Sequence, residues 1–225
     1  MSAPMIAMEE RRFAYGDGGF ELRVDDLAID AGEHVACIGP SGTGKTTLVN
    51  LVAGILVADR GRVLVDGQDL ALLADGERRR FRISNVGLVF QEFELLEYLS
   101  ALENILLPYH VTGHLVADPP TVDRARGLAD SMGLGPVLAR RPRRLSQGER
   151  QRVAICRALI TEPKLLMCDE PTGNLDPRTA GVTLDLLFER VKERDATLLM
   201  VTHNHGILDR FGRVLDVTEL GVATA

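Results

Sequence analysis

Two periods of apolar and polar residues alternate along this chain, and the switches between them predict its elements. Residues 5–29 read as strands joined by turns, because Phe20, Leu22 and Val24 alternate with polar neighbours as they do on a half-buried strand. Tyr15-Gly16-Asp17-Gly18-Gly19 is a strong turn signal, and Ala31-Gly32-Glu33 is a second one. This opening predicts a small antiparallel sheet. The run His34-Val35-Ala36-Cys37-Ile38 then predicts a buried strand, and Leu48, Val49, Leu51 and Val52 follow at helical spacing. Gly54 and Asp59-Arg60-Gly61 break the pattern before a strand at 62–65 and a turn at Asp66-Gly67. A short basic helix is predicted at 76–82, and 86–90 is an apolar run of strand length that stops at Gln91.

From 92 to 144 strand signals vanish. Ser100 is placed to cap a helix carrying Leu102, Ile105 and Leu106, with Glu103 in its first turn. Pro108 and Asp118-Pro119-Pro120 interrupt the pattern, and a second helix with Val122, Ala125, Leu128 and Met132 ends before Gly133. Ser146 opens a long helix with Val153, Ala154, Ala158 and Leu159 along one face. A buried strand follows at 164–168, then a helix from 177 to about 194 with Val182, Leu186 and Val191 inward, a strand at 197–201 and a last one at 213–217. Strands alternating with helices predict an α/β fold with a mostly parallel sheet covered on both faces. The segment 92–147 reads as an inserted helical subdomain between core segments 1–91 and 148–225. Its first loop, 92–99, is rich in apolar residues for an exposed bend, which fits either packing beneath the helices or docking of another protein's helix.

Composition narrows the class. Of the 225 residues, 45% are apolar and 26% charged, as in ordinary globular proteins, and no apolar run reaches the roughly 18 residues of a membrane span. The first residues lack the basic and apolar blocks of a signal peptide, so work in the cytosol is expected. A net charge of −6 argues against a dedicated nucleic-acid binder. Arginines cluster at 78–82 and 140–144; solvated faces near acidic neighbours are the plainest account of both, with contact to anionic lipid headgroups or a partner the lesser alternative. Cys37, Cys156 and Cys168 have no C-x-x-C spacing and lie in apolar surroundings, which predicts buried thiols in a reducing compartment.

The chemistry is concentrated in GPSGTGKTT, 39–47, set between a predicted strand and a predicted helix. Gly39, Gly44, Lys45 and Thr46 meet the pattern G-x-x-x-x-G-K-[ST], in which glycines let backbone N–H groups turn inward around a polyphosphate. Ser41, Gly42 and Thr47 complete the loop. Lys45 is placed for the β- and γ-phosphates and Thr46 for Mg²⁺. Asp169-Glu170 ends a core strand, where two adjacent carboxylates need a partner. A Mg²⁺ ion facing Asp169 is one, with Glu170 left to orient and deprotonate a water.

Several stretches together resemble the ATP-binding cassette superfamily. LSQGE at 145–149 looks like its signature motif, LLMCDEP at 165–171 like its Walker B strand, and Gly173-Asn174-Leu175-Asp176 like its D-loop. VFQ ending at Gln91 looks like the Q-loop and VTH ending at His203 like the switch histidine. Tyr15 stands where the family stacks an aromatic on adenine. The resemblance implies a P-loop NTPase with a RecA-like core, and a head-to-tail homodimer formed on ATP binding. It assigns the phosphates to the loop of one subunit, and to Ser146 and Gly148 of the other. It further implies catalytic roles for Glu170, His203 and Gln91, metal contacts from Thr46, Gln91 and Asp169, and a nucleotide contact from Asp176. Gln147 and Glu149 depart from the usual LSGGQ, and Asn204 from the usual aspartate after the histidine. The stretch 86–108 is similar to the small ATPases of lipoprotein release and macrolide export, and close to the cell-division type. That implies a separate membrane permease docking near 92–99, and a peripheral position on the cytoplasmic face of the membrane. An ATP-gated regulator that moves no cargo is the alternative, and a soluble cassette acting on ribosomes or DNA a third reading.

Overall fold

A computed structural model describes residues 3–14, 21–57 and 60–220, with Arg11 described in its backbone alone. In chain order the elements are β1 (Ile6–Ala14), β2 (Glu21–Ile29), β3 (His34–Ile38), α1 (Lys45–Val52), β4 (Arg60–Val65), β5 (Gln68–Asp69) and α2 (Asp75–Asn85). There follow β6 (Val86–Val89), α3 (Ala101–Ile105), α4 (Leu107–His110), α5 (Pro119–Ser131) and α6 (Gln147–Leu159). The chain continues with β7 (Leu165–Asp169), α7 (Pro177–Glu193), β8 (Thr197–Val201) and β9 (Arg213–Asp216). They fall into two compact units, 1–82 with 196–225, and 83–195. The helical stretch 92–147 lies wholly within the second.

The first unit holds an antiparallel sheet in the order β2-β1-β4-β5. In β2 Leu22 and Val24 are buried, then Asp25 and Asp26 are both exposed, and burial resumes at Leu27 and Ile29. That two-residue slip in the alternation faces an irregularity in β1, where the register with β4 shifts between Glu9 and Arg12 and Glu10 takes a φ of 46°. A bulge absorbs the extra residue and lets both apolar pairs stay inside. Gly61 belongs to the same device, since a Cβ there would collide with the Glu9 and Glu10 backbone. The expected turn at 15–19 lies outside the described residues.

The same unit contains three parallel strands, with β3 central between β8 and β9. Val35, Ala36 and Cys37 are fully buried, as expected of a parallel strand covered on both faces. Because the three run in one direction, their C-terminal ends share an edge, and Thr202 N–H continues the ladder to the Cys37 carbonyl at 3.1 Å.

In the second unit β6 and β7 pair in parallel from Val86↔Leu165 to Val89↔Cys168. Gly87 is required there, because a Cβ would lie 2.5 Å from the Ala158 carbonyl of α6. Ser100 caps α3 with a reciprocal capping box to Glu103. Pro119 and Pro120 begin α5 behind the N-cap Asp118, a first-turn use of proline where the missing N–H costs nothing. No strand occurs between 92 and 144 among the described residues. One expectation for α7 is corrected: Val182 is 51% exposed and Leu186 half-buried, while Thr183, Leu184, Leu187, Phe188 and Val191 face inward. The true stripe follows i, i+3, i+4, i+7 from Leu184, and Val191 alone of the expected set lies on it.

Candidate functional site

The first unit builds the phosphate loop largely from backbone. Gly39, Gly42 and Gly44 have φ of 146°, 82° and 93°, a region where side chains are strained. A Cβ at Gly39 would also stand 3.1 Å from Thr43 Oγ1, whereas Gly42 has open space and needs glycine for its φ alone. Thr43 Oγ1 donates to the Pro40 carbonyl at 2.8 Å, closing the turn. Lys45 is 6% exposed and donates through Nζ to the carbonyls of Gly39 (2.8 Å) and Pro40 (2.7 Å), which curls the loop around its own cation. Gly44 is the N-cap of α1 and has no side chain to cover the first-turn amides. That arrangement suits an anion at the positive end of the helix. Ser41, Gly42 and Thr46 are exposed along the loop and Thr47 is buried. Exposed His203 follows β8 at the edge where the loop follows β3, so the parallel strands bring these two predicted features together. Asp216, paired with Ile38 across the strands, lies there too, its carboxylate held by the Thr218 amide and hydroxyl.

The second unit carries the remaining candidates. Asp169 is the last residue of β7, and Glu170 then takes a φ of 47°, an unusual value for a side-chain-bearing residue. Its carbonyl accepts from Gly173 N–H at 3.1 Å, so the strand ends in a tight turn that takes Glu170 out of the alternation of β7. A Cβ on Gly173 would lie 3.1 Å from Gln91 Nε2 and 3.4 Å from Glu170 Oε2. The amide of Gln91 and the carboxylate of Glu170 therefore crowd the same spot, and Asn174 Nδ2 fixes the Gln91 carbonyl at 3.0 Å.

Ser146 is the N-cap of α6. Its Oγ accepts from Glu149 N–H at 3.2 Å, and Glu149 Oε2 accepts from Ser146 N–H at 2.7 Å. Burial raises the Glu149 pKa, but the bonds from Ser146, with Arg140 and Arg152 nearby, outweigh this and hold it below the ordinary value. Glutamate in place of the usual glutamine thus keeps a side-chain oxygen for the cap. A Cβ on Gly148 would collide with Thr179 Cγ2 of α7. Asp176 caps that helix, accepting from Arg178 and Thr179 N–H at 3.1 Å each, bonds that with Thr179 foremost hold its carboxyl below the usual range. The predicted Ser146, Gly148 and Asp176 are thus joined through the start of α7.

Loop 92–99 is clamped by residues whose role the sequence did not single out. Buried Asn104 donates to the carbonyls of Leu96, Leu99 and Ser100 and accepts from Leu96 N–H. Arg157 of α6 donates to the carbonyls of Phe93 (2.8 Å) and Glu94, and the Arg150 guanidinium lies 5.3 Å from the Phe93 ring centroid. Phe93, Leu95, Leu96 and Leu99 are half-buried and Tyr98 is exposed, so the loop both packs and presents a surface. An arginine on a helix that otherwise reads as amphipathic gives no sequence signal of this job.

The predicted adenine contact Tyr15 lies outside the described residues. Thr46, Gln91 and Asp169 are all oxygen donors, the chemistry a hard cation such as Mg²⁺ takes. Among the described residues no cluster of three His, Cys, Asp or Glu could hold a metal alone. All three cysteines are buried thiols outside any disulfide, and burial pushes the Cys156 thiol up to about 12 and raises Cys168 as well. No described helix is long and apolar enough to cross a membrane.

The family profile for ABC transporters matches residues 22–173. The chain is 41% identical to the lipoprotein-releasing system ATP-binding protein LolD of Roseobacter denitrificans over 217 residues, 95% of each chain. It is 44% identical to LolD of a Ruegeria species over 198 residues, covering 88% of this chain and 86% of that one. Among solved structures it superposes on a dimeric, post-hydrolysis state of the ATP-binding cassette MJ0796 bound to ADP and Pi. The TM-score is 0.84 at 30% identity, with 94% of each chain covered.

Proposed function

The chain belongs to the ABC transporter family, and from that premise we propose that it is the ATPase of a lipoprotein-release complex. The observation that carries this reading is similarity to LolD along 95% of both chains, rather than over the nucleotide motifs alone. The chain binds ATP and hydrolyses it to ADP and phosphate, and it powers a separate membrane permease. Dimerisation on ATP, with each nucleotide held between two copies, is supported by the dimeric cassette it resembles. A peripheral place on the cytoplasmic face of the membrane follows from a permease partner.

In this mechanism the loop of the first unit grips the polyphosphate. Two of the three Lys45 protons already go to loop carbonyls, which aims the ammonium group inward and leaves one donor for a phosphate oxygen. Thr46, Gln91 and Asp169 are the proposed Mg²⁺ donors. The ion would neutralise charge on the β- and γ-phosphates. Glu170 is the proposed base, oriented by its left-handed turn and by Gln91, and His203 and Ser146 position the γ-phosphate from the same and the opposite subunit. Positioning and electrostatics of this kind are what lower a phosphoryl-transfer barrier. Loop 92–99, held by Asn104, Arg150 and Arg157, is the proposed permease contact, so force from the site passes through α6 to the loop.

The test is purification from detergent-solubilised membranes. Co-purification of a permease, whose removal of lipoprotein from proteoliposomes requires ATP and this chain, is expected. Recovery without any membrane protein would overturn the reading.

A further inference from the structure

The last strand sets beside the phosphate loop a carboxylate that the mechanism does not use. β9 pairs in parallel with β3, and the register puts Asp216 next to Ile38, the residue before Gly39. Asp216 Oδ1 lies 3.6 Å from the position a Cβ on Gly39 would take. The Gly39 carbonyl is one of the two that Lys45 Nζ holds, at 2.8 Å, so the loop's cation and this carboxylate flank the same residue. Thr218 fixes the carboxylate, donating to Oδ1 from its N–H at 2.9 Å and from its hydroxyl at 2.6 Å. Those bonds foremost, with a further pull from the Lys45 charge, hold the Asp216 carboxyl below the usual range, so it is ionised at neutral pH. Capping the turn at 217–220 needs only an acceptor oxygen, which asparagine would also supply. What aspartate adds is a full negative charge against a loop shaped for anions.

We propose that Asp216 is a positioning residue that loosens the grip on nucleotide: it balances the Lys45 charge while the loop holds no phosphate, and repels the polyphosphate once bound. The inference rests on the reading of loop 39–47 as the nucleotide grip. A unit charge about 8 Å away across a water-like medium changes affinity about twofold for each charge on the ligand. Repulsion therefore weighs more on ATP than on ADP, and it keeps the product from lingering in the loop. Position matters as much as sign. Asp30 precedes β3 at its opposite end, and the five residues of that strand span about 16 Å, more than a charge reaches in physiological salt. Only a carboxylate at the loop end of the parallel strands opposes the phosphates directly.

The experiment is calorimetry of the full chain with ADP and with a non-hydrolysable ATP analogue, in about 50 mM and about 1 M salt. Asp216→Asn keeps an acceptor for Thr218 and loses the charge. In low salt its affinity is expected to rise about fivefold for the ATP analogue and about threefold for ADP, with both gains gone in high salt. Asp216→Glu, which restores the charge, should return both affinities to near the wild-type values, and Asp30→Asn should bind as wild type. An unchanged or weaker affinity in Asp216→Asn overturns the proposal, the weaker one making Asp216 a prop for the shape of the loop. So does a gain that survives high salt, that Asp216→Glu fails to reverse, or that Asp30→Asn shares. A wild-type chain that bound neither nucleotide would overturn the reading of the loop as well. Wild-type binding with an unchanged Asp216→Asn leaves that reading standing and removes this proposal alone.

Discussion

The phosphate loop and the signature turn both sit at the N-terminus of a helix, yet they are built by different means. At the loop the cap is Gly44, and shape comes from three glycines at positive φ and a lysine folded onto carbonyls. At the signature the cap is Ser146, and shape comes from side chains: a reciprocal box with Glu149, and Gly148 pressed against Thr179. An uncapped helix end keeps its dipole for a ligand, whereas a boxed one is a preset side-chain donor with little freedom to adapt. The loop is therefore the proposed gripping half, and the second unit supplies positioned side chains.

The largest expected effect tests whether chemistry belongs to the second unit. Glu170→Gln should lower turnover at least about a hundredfold while ATP still assembles the dimer, read by phosphate release and size-exclusion chromatography. Turnover at the wild-type rate would remove Glu170 from the mechanism. Lys45→Ala tests the gripping half, and calorimetry should show ATP affinity lower by about 10- to 100-fold, the loss of one charge-assisted bond. Gly148→Ala should destabilise the fold by about 1–3 kcal/mol in thermal unfolding, through overpacking against Thr179. Glu149→Ala should cost about 1 kcal/mol and Glu149→Gln almost nothing, since an amide oxygen still accepts from Ser146. If both variants lose equally, charge rather than capping is at stake. Smallest is a pH effect. Bonds from Ser100 lower the Glu103 pKa, and those from Ser146 outweigh burial at Glu149, so both folded values lie below the ordinary 4.5. Their capping contribution is full above 4.5 and lost as pH falls through the folded values, visible as a lower melting temperature in the wild type than its own neutral-pH value, and a smaller drop in Glu149→Gln.

Local chemistry made much of this legible in advance. Strand, loop and helix around 39–47 follow from apolar runs and from glycines whose positive φ a sequence can announce. Ser100 was readable as a cap because Glu103 stands three residues on, and Ser146 as the start of a helix. What escaped were relations between distant residues. The inward stripe of α7 depends on which neighbours it meets, so Val182 and Leu184 were indistinguishable by type. Arg157 and Asn104 hold a loop through its carbonyls, and backbone acceptors leave no mark in the sequence. The bulge in β1 needed the registers of two partner strands. The two arginine clusters read alike, yet Arg78 and Arg82 donate to backbone carbonyls whereas the arginines of 140–144 stay exposed.

One quiet feature has a practical reach. Three thiols sealed in apolar surroundings, with Cys156 and Cys168 pushed far from the reactive thiolate, leave the folded chain silent to alkylating reagents and dyes. A single cysteine introduced at Tyr98 or Gln147, both exposed, can then carry a fluorophore or spin label against a blank background without stripping the native ones. The movement of loop 92–99 and of the signature turn during the ATP cycle becomes directly observable in the otherwise unaltered protein.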